Sequence, residues 1–252
     1  MPVIGTDDHV TAARLAAEAG DMLVDLRARL NGDGVTGKAL GAEGDRASHE
    51  LLMRRLAELR PHDAVLSEEG VSDSARLVAE RVWIVDPLDG TREFSEVPRT
   101  DWAVHVALVA GGEPVAGAVA LPARGLTLAT ATPPTAPAPR SGPVRVVVSR
   151  SRPPAEATLI AEALGGELVT LGSAGAKAMA VVLGEADVYA HSGGQHEWDS
   201  AAPVAVARAA GLHASRLDGT PLVYNRPDPY LPDLLICRPD LAERVITAAV
   251  RG

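Results

Sequence analysis

The stretch WIVDPLDGTREF, residues 83–94, ends an apolar run in two acids, Asp86 and Asp89, with Pro87 between them. Proline fixes one backbone angle of the connecting turn, so both carboxylates can point at one ion, with the Leu88 carbonyl as a third oxygen. Like charges held this close raise each other's pKa unless a cation sits between them. Hard oxygen ligands completed by water are how proteins hold Mg²⁺. Gly90 and Thr91 follow at once and offer backbone N–H groups where a turn or short helix begins, a ready cradle for an anion. A solvated acidic turn that caps a helix is the plainer reading of the same residues.

Two other stretches repeat the pattern. In AVLSEEG, Glu68 and Glu69 follow an apolar strand with no basic residue nearby in sequence, and a solvated strand end would explain them equally well. In HEWDSAAPVAVARAAG, Asp199 opens an Ala-rich helix, where a carboxylate favours the positive helix end. Capping of that kind does not exclude metal binding.

Several residues have weaker claims. GDGVTGKA, residues 32–39, approaches the phosphate loop G-x-x-x-x-G-K-[ST], but Ala39 stands where the magnesium-holding hydroxyl belongs. No strand precedes it and LGAEGD is not expected to open a helix, so the stretch reads as a flexible loop. His191 and His196 match no zinc spacing and are expected at the surface or in hydrogen bonds. Ser173 and Lys177 are open between substrate contact and a helix cap with a solvated lysine. Arg92, beside the anion cradle, is open between substrate contact and surface.

These residues need elements to hold them. Leu15, Ala19, Met22, Leu26 and Leu30 mark one face of a helix. A second helix is expected from about Arg46 to Leu59, with Leu52, Leu56 and Leu59 inward and Pro61 ending it. Strands follow at 64–67, 81–86, 102–110, 114–121 and 126–130, with Gly111-Gly112 as a hairpin turn. Residues 132–143 hold five prolines in twelve and read as a linker or exposed loop. Beyond them strands at 144–149, 167–171, 186–190 and 233–237 alternate with helices near 154–164, 173–183, 198–210 and 240–250. An antiparallel first half is thus followed by α/β alternation.

Composition narrows the class of partner. The chain has 252 residues, 46% of them apolar, enough for a sizeable core in one large domain or two small ones. A formal charge of −9 argues against a nucleic acid polymer as partner, and 3% aromatics leave no platform for stacking bases. Small phosphorylated substrates remain open where metal ions invert the local charge. Cys237, the one cysteine, lies in an apolar run and is expected to be buried. The N-terminus lacks the order of a secretory signal, no stretch reaches the ~20 apolar residues of a membrane span, and a cytoplasmic location with no membrane partner is expected.

In combination, the segments SEE, WIVDPLDGTREF and EWDSAAP resemble the motifs of the inositol monophosphatase family of magnesium-dependent phosphatases. GSAGAKAMAVVLGEADVY (172–189) and DGTPLVYN (218–225) resemble its later segments, so the likeness runs from about residue 44 onward. Glu93-Phe94, and Glu197 before Trp198, resemble the branch that dephosphorylates 3′-phosphoadenosine 5′-phosphate, a step of sulfate assimilation. The inositol branch usually has Asn before that Phe.

The resemblance implies an α/β class with an α+β first half and an α/β second half, layered as an αβαβα sandwich. Residues 1–131 would carry most metal ligands and residues 144–252 Asp199, with the active site in the cleft between halves joined at 132–143. Glu68, Asp86 and the Leu88 carbonyl would hold one Mg²⁺; Asp86, Asp89 and Asp199 would hold a second. Gly90 and Thr91 would bind the phosphate through N–H groups, beside Glu68, Leu88, Asp89 and Asp199 as the substrate's surroundings. Asp45 would accept the Thr91 hydroxyl and help activate water, so Asp45, Glu68 and Thr91 form the expected catalytic set. The segment from Lys38 to Asp45 is shorter than the family's, with Gly44 for Ala, which leaves a third ion open. Two Mg²⁺ would steady both attacking and leaving oxygens of an in-line displacement, and Li⁺ would inhibit. An inositol-1-phosphate or fructose-1,6-bisphosphate phosphatase, and a non-catalytic adenosine bisphosphate sensor, are the rival readings; a homodimer is open.

Overall fold

A computed structural model describes residues 5–71, 73–139 and 141–250. In chain order they form α1 (Thr6–Gly32), α2 (Gly37–Leu59), β1 (Ala64–Ser67), β2 (Arg81–Asp89), α3 (Thr91–Ser95), β3 (Ala103–Ala110), β4 (Glu113–Leu121) and β5 (Leu126–Ala129). Then come β6 (Arg145–Ser149), α4 (Ala155–Leu164), β7 (Glu167–Leu171), α5 (Ala174–Val182), β8 (Val188–His196), α6 (Glu197–Ala209), β9 (His213–Ser215), β10 (Tyr230–Cys237) and α7 (Ala242–Val250). The strands make two five-stranded sheets, ordered β1-β2-β3-β4-β5 and β7-β6-β8-β10-β9.

Alternating side chains sort these elements into layers. Trp83, Val85, Val104, Val106 and Ala118 pack outward on Leu15, Leu23 and Leu52 of α1 and α2. Val82, Ile84, Ala107 and Val119 face the other way, onto Met179, Val181, Val204 and Val206 of α5 and α6. The far side of that helix pair meets Val147, Tyr189, Leu234 and Ile236 of the second sheet. Val146, Val148, Val188 and Leu235 point out to Ile160 and Val245 of α4 and α7. The layers are therefore α, β, α, β, α. Each sheet is covered on both faces, which is why the strands read as unbroken apolar runs. Cys237 is fully buried, and burial pushes its thiol up to about 12.

The structure departs from the sequence reading at several points. β1 pairs parallel with β2, so the first sheet is not wholly antiparallel. β2 runs to Asp89 instead of ending at Asp86, and β8 runs from Val188 to His196. A further short strand, β9, pairs with β10. Residues 133–139 carry no regular structure, as their prolines require.

The largest departure is α2, which starts at Gly37 rather than near Arg46, so LGAEGD is helical and only residues 33–36 of GDGVTGKA lie between helices. Val35 N donates back to Leu30 O at 2.9 Å, closing a tight turn between the helices. Glycine weakens a helix by propensity, but tertiary packing explains it here. A Cβ on Gly44 would lie 2.8 Å from Leu88 Cδ2 and 2.8 Å from Phe94 Cε1. Only a bare Cα lets α2 lie this close to the end of β2, and the family's usual Ala would not fit without a shift.

Gly44→Val should therefore destabilise the protein by about 1–3 kcal/mol through overpacking, read as a lower midpoint of urea unfolding. An unchanged midpoint would mean that α2 does not press on Leu88 and Phe94.

Candidate active site

On a regular strand, residues 86 and 89 would point to opposite faces. The β2–β3 register instead passes from Asp86 opposite His105 to Asp89 opposite Ala103. One extra residue at Pro87-Leu88 makes a β-bulge. The bulge turns Asp89 to the same side as Asp86, toward α5 and α6, and sends Leu88 into the outer core. Ser48 Oγ of α2 donates to the Pro87 carbonyl at 2.6 Å and holds the bulge in place.

Asp199 arrives from the opposite direction. It lies in the first turn of α6, where its Oδ2 accepts from His196 N at 2.7 Å as a cap. Carboxylate oxygens of Asp86, Asp89 and Asp199 all lie within 4.8 Å of one another. Glu68, just past β1, turns its carboxyl in to hydrogen-bonding reach of Asp86, although the residue as a whole is exposed. Glu69 is exposed.

The acids have been driven in opposite directions. Burial, then the charges of Glu68, Asp89 and Asp199, push Asp86 well above the usual carboxylate range. Burial and neighbouring charge lift Glu68 to about 7 and Asp199 to about 7. Asp89 is the exception. Burial pushes it up, but His105, Lys177 and the Gly175 N–H outweigh this and hold it below its ordinary value. Its Oδ1 accepts from Ala174 N at 3.1 Å and its Oδ2 from Gly175 N at 2.5 Å, both at the N-terminus of α5. His105 Nε2 lies 3.1 Å from the same Oδ2, and its Nδ1 lies 3.0 Å from the Trp198 carbonyl. Burial lowers the His105 pKa, yet the Asp89 charge raises it overall.

The anion cradle lies beside this cluster. Gly90 adopts φ 86°, ψ 44°, a left-handed conformation that starts α3 and that other residues adopt only with strain. The first N–H groups of α3 have no acceptor within the helix. Thr91 Oγ1 lies 3.0 Å from Asp45 Oδ1 and 3.2 Å from the Leu88 carbonyl. Burial lifts Asp45 to about 6, against the pull of that hydroxyl. Asp89, Gly90, Thr91 and Asp199 line a cavity of about 630 Å³, together with Ser173 and Lys177.

Some expectations were wrong or incomplete. Lys177 is not solvated: it is 3% exposed and donates to the Gly172 and Ser173 carbonyls. Burial brings its ammonium down to about 8. Ser173 caps α5, accepting from Ala176 N at 2.9 Å. Arg92 is exposed and pairs with Glu96 at 3.0 Å. Glu197 is buried and accepts from Asn225 N and Arg226 N at 2.7 and 2.8 Å, so it anchors a loop rather than lining the cavity. Glu93 pairs with Arg150 at 2.6 Å, joining α3 to the end of β6. His196 stacks on Trp198 and His191 lines the cavity. Sequence reasoning missed His105, although a histidine inside WAVHVALVA was a visible sign.

Crowded oxygen groups, with Glu68, Asp86 and Asp199 raised and Asp89 held charged, fit an oxygen-preferring divalent cation. Five alternating layers with a carboxylate cluster beside a helix-start anion cradle define an α/β protein built around an acidic, metal-accepting pocket. The chain belongs to the inositol monophosphatase family, whose model matches residues 7–251. It is 53% identical over 247 residues to the 3′-phosphoadenosine 5′-phosphate phosphatase of Mycobacterium leprae, covering 93% of this chain and 90% of that one. It is 32% identical to the 3′(2′),5′-bisphosphate nucleotidase CysQ of Escherichia coli K12, over 86% of this chain and 94% of that one. The CysQ crystal structure from Bacteroides thetaiotaomicron superposes with a TM-score of 0.80 at 28% identity, covering 92% and 97% of the two chains. Inositol monophosphatase II from Staphylococcus aureus shares the fold with a TM-score of 0.80 at 22% identity, covering 96% and 95%.

The raised carboxyls set a sign for stability without metal. Unfolded carboxyls titrate near pH 4, whereas Glu68 and Asp199 do so at about 7 in the fold. Between those values the folded state binds more protons, so this contribution is complete below about pH 4 and lost as pH rises through about 7. In EDTA, melting temperature should fall more steeply from about pH 5 to about pH 7.5 for the wild type than for Asp86→Asn. Parallel slopes would mean that the cluster does not repel itself.

Proposed function

We propose that the protein is a Mg²⁺-dependent phosphomonoesterase that removes the 3′-phosphate of 3′-phosphoadenosine 5′-phosphate, giving AMP and phosphate, in sulfur assimilation. The observation that carries the reading is the cluster of Asp86, Asp89 and Asp199, two of which line one cavity with Gly90 and Thr91 at the start of α3. The relatives of 53% and 32% identity, both named for bisphosphate nucleotide substrates, support the choice of substrate. A cytoplasmic location goes with this reading. Among the described residues no helix is long and apolar enough to cross a membrane.

In this reading Glu68, Asp86 and the Leu88 carbonyl hold one Mg²⁺, and Asp86, Asp89 and Asp199 a second. When bound, the ions supply Lewis-acid neutralisation of phosphoryl charge and a lowered pKa for water. The chain's own groups do the rest. Gly90 and Thr91 N–H groups receive the phosphate oxygens and orient the ester. Asp45, lifted to about 6 and in contact with the Thr91 hydroxyl, accepts a proton through that hydroxyl as water attacks. His105 and the α5 N-terminus hold Asp89 charged and aimed. Lys38 lines a groove with Asp45 and Thr91, and a cationic side chain there favours two ions over three.

Asp86→Asn tests the reading more cleanly than a change at Asp89, whose two oxygens both accept backbone N–H groups. At position 86 an amide oxygen can still accept from Leu88 N while one charge disappears. Turnover should fall by about a thousandfold or more, since the metal site supplies several kcal/mol of transition-state stabilisation. Phosphate release with Mg²⁺ should be faster from 3′-phosphoadenosine 5′-phosphate than from inositol-1-phosphate or fructose-1,6-bisphosphate. A higher kcat/KM for either rival would reassign the substrate. Tight nucleotide binding with no release from any of them would make the protein a sensor.

A further inference from the structure

One face of α2 reaches three segments of the site. Asp45, Ser48 and His49 stand at i, i+3 and i+4, which places them side by side on a helix. Asp45 meets the Thr91 hydroxyl at 3.0 Å, and Ser48 Oγ donates to the Pro87 carbonyl at 2.6 Å. His49 Nδ1 and Ser67 Oγ are hydrogen-bonded at 3.0 Å. Thr91 begins the anion cradle and Pro87 the bulge, so two of these contacts hold parts of the site. The third holds Ser67, the residue before Glu68.

Glu68 needs such support more than the other acids do. Asp86 accepts from Leu88 N at 3.1 Å, Asp199 from His196 N at 2.7 Å, and Asp89 from Ala174 N and Gly175 N. Among the described residues the Glu68 carboxyl has no N–H donor, and its hydrogen-bond partner is another acid, Asp86. Where it points is therefore set by its backbone. Gly70 N donates to the Ser67 carbonyl at 3.1 Å, closing a four-residue turn with Glu68 and Glu69 at its centre. Ser67 is 5% exposed, and its hydroxyl bonds this turn to α2. At the other end of the turn, a Cβ on Gly70 would lie 3.6 Å from His49 Cε1. The imidazole thus stands against both ends of the turn. Asp199, Asp89 and Asp45 repel the Glu68 carboxylate, and a turn released from α2 would let it swing away from them.

We propose that His49 is a positioning residue, which through Ser67 holds Glu68 where its carboxylate can serve as a metal ligand. It acts on one ion of the two, the one that Glu68 shares with Asp86 and the Leu88 carbonyl. The ion held by Asp86, Asp89 and Asp199 does not depend on it. The inference rests on the metal assignment within the proposed function.

The test titrates the protein with Mn²⁺, which takes the same oxygen ligands as Mg²⁺ and whose unbound form is counted by its paramagnetic resonance signal. Wild type should bind two ions per chain. His49→Ala should weaken one of them by about 10-fold, the low end of what losing a ligand's outer support costs, and leave the other within about twofold. His49→Asn should restore the lost affinity, because its side chain keeps a polar atom where Nδ1 stands. Ser67→Ala removes the same hydrogen bond without touching α2 and should reproduce the His49→Ala titration. The double variant should bind no more weakly than either single one. In turnover, the Mg²⁺ concentration for half-maximal rate should rise by about 10-fold, while the rate at saturating Mg²⁺ changes by less than about threefold. Unchanged affinity for both Mn²⁺ ions in His49→Ala overturns the proposal. Equal weakening of both also overturns it, since a loosened fold would act on both. Uptake of two ions by a wild type that releases phosphate from no nucleotide would sink the phosphatase reading alone, with the titrations still deciding the role of His49.

Discussion

Three carboxylates, two buried and one half-buried, each with an oxygen within 4.8 Å of the others, are the constraint around which the molecule is arranged. Two unit charges ~4 Å apart interact with about 4 kcal/mol even at an effective dielectric of about 20. That is a large part of the ~5–15 kcal/mol by which a fold is stable. The chain cannot relieve it by letting the acids drift, because each sits on a rigid element: Asp86 and Asp89 on a bulged central strand, Asp199 on the first turn of a buried helix. The strain is relieved by proton or by cation, and a cation-loaded pocket is what a negatively charged ester can approach.

Asp89 shows how the scaffold keeps one of these charges in place. It belongs to the first sheet, yet its donors are the opening N–H groups of α5, a helix that follows β7 in the chain. His105 connects the same carboxylate to the carbonyl of Trp198, next to Asp199 in sequence. The two arms of the acid cluster are thus tied through His105, which is fully buried. Arg150 with Glu93 and Glu96 makes a second tie, at the rim. Ligands contributed by distant parts of the chain keep a fixed separation for this reason.

Residue types and spacing alone determined much of this. Asp86 and Asp89 around a proline, Gly90-Thr91, Glu68 and Asp199 stood out as candidates because metal and phosphate chemistry requires hard oxygens and free N–H groups, which local sequence displays. Apolar runs likewise marked the strands, and the layering came only from the family resemblance. Tertiary structure decided the rest. That Asp86 and Asp89 share a face depends on a bulge, visible only once β3 supplies the register. Helical Gly41 and Gly44 oppose their own propensity and make sense only against Thr91, Leu88 and Phe94. Lys177 stayed open between substrate contact and a solvated helix residue, because neither burial nor partner is written in neighbouring residues. The direction of the His105 and Asp89 shifts came last of all. It follows from which charges meet across the core, and charges that meet there are far apart along the chain.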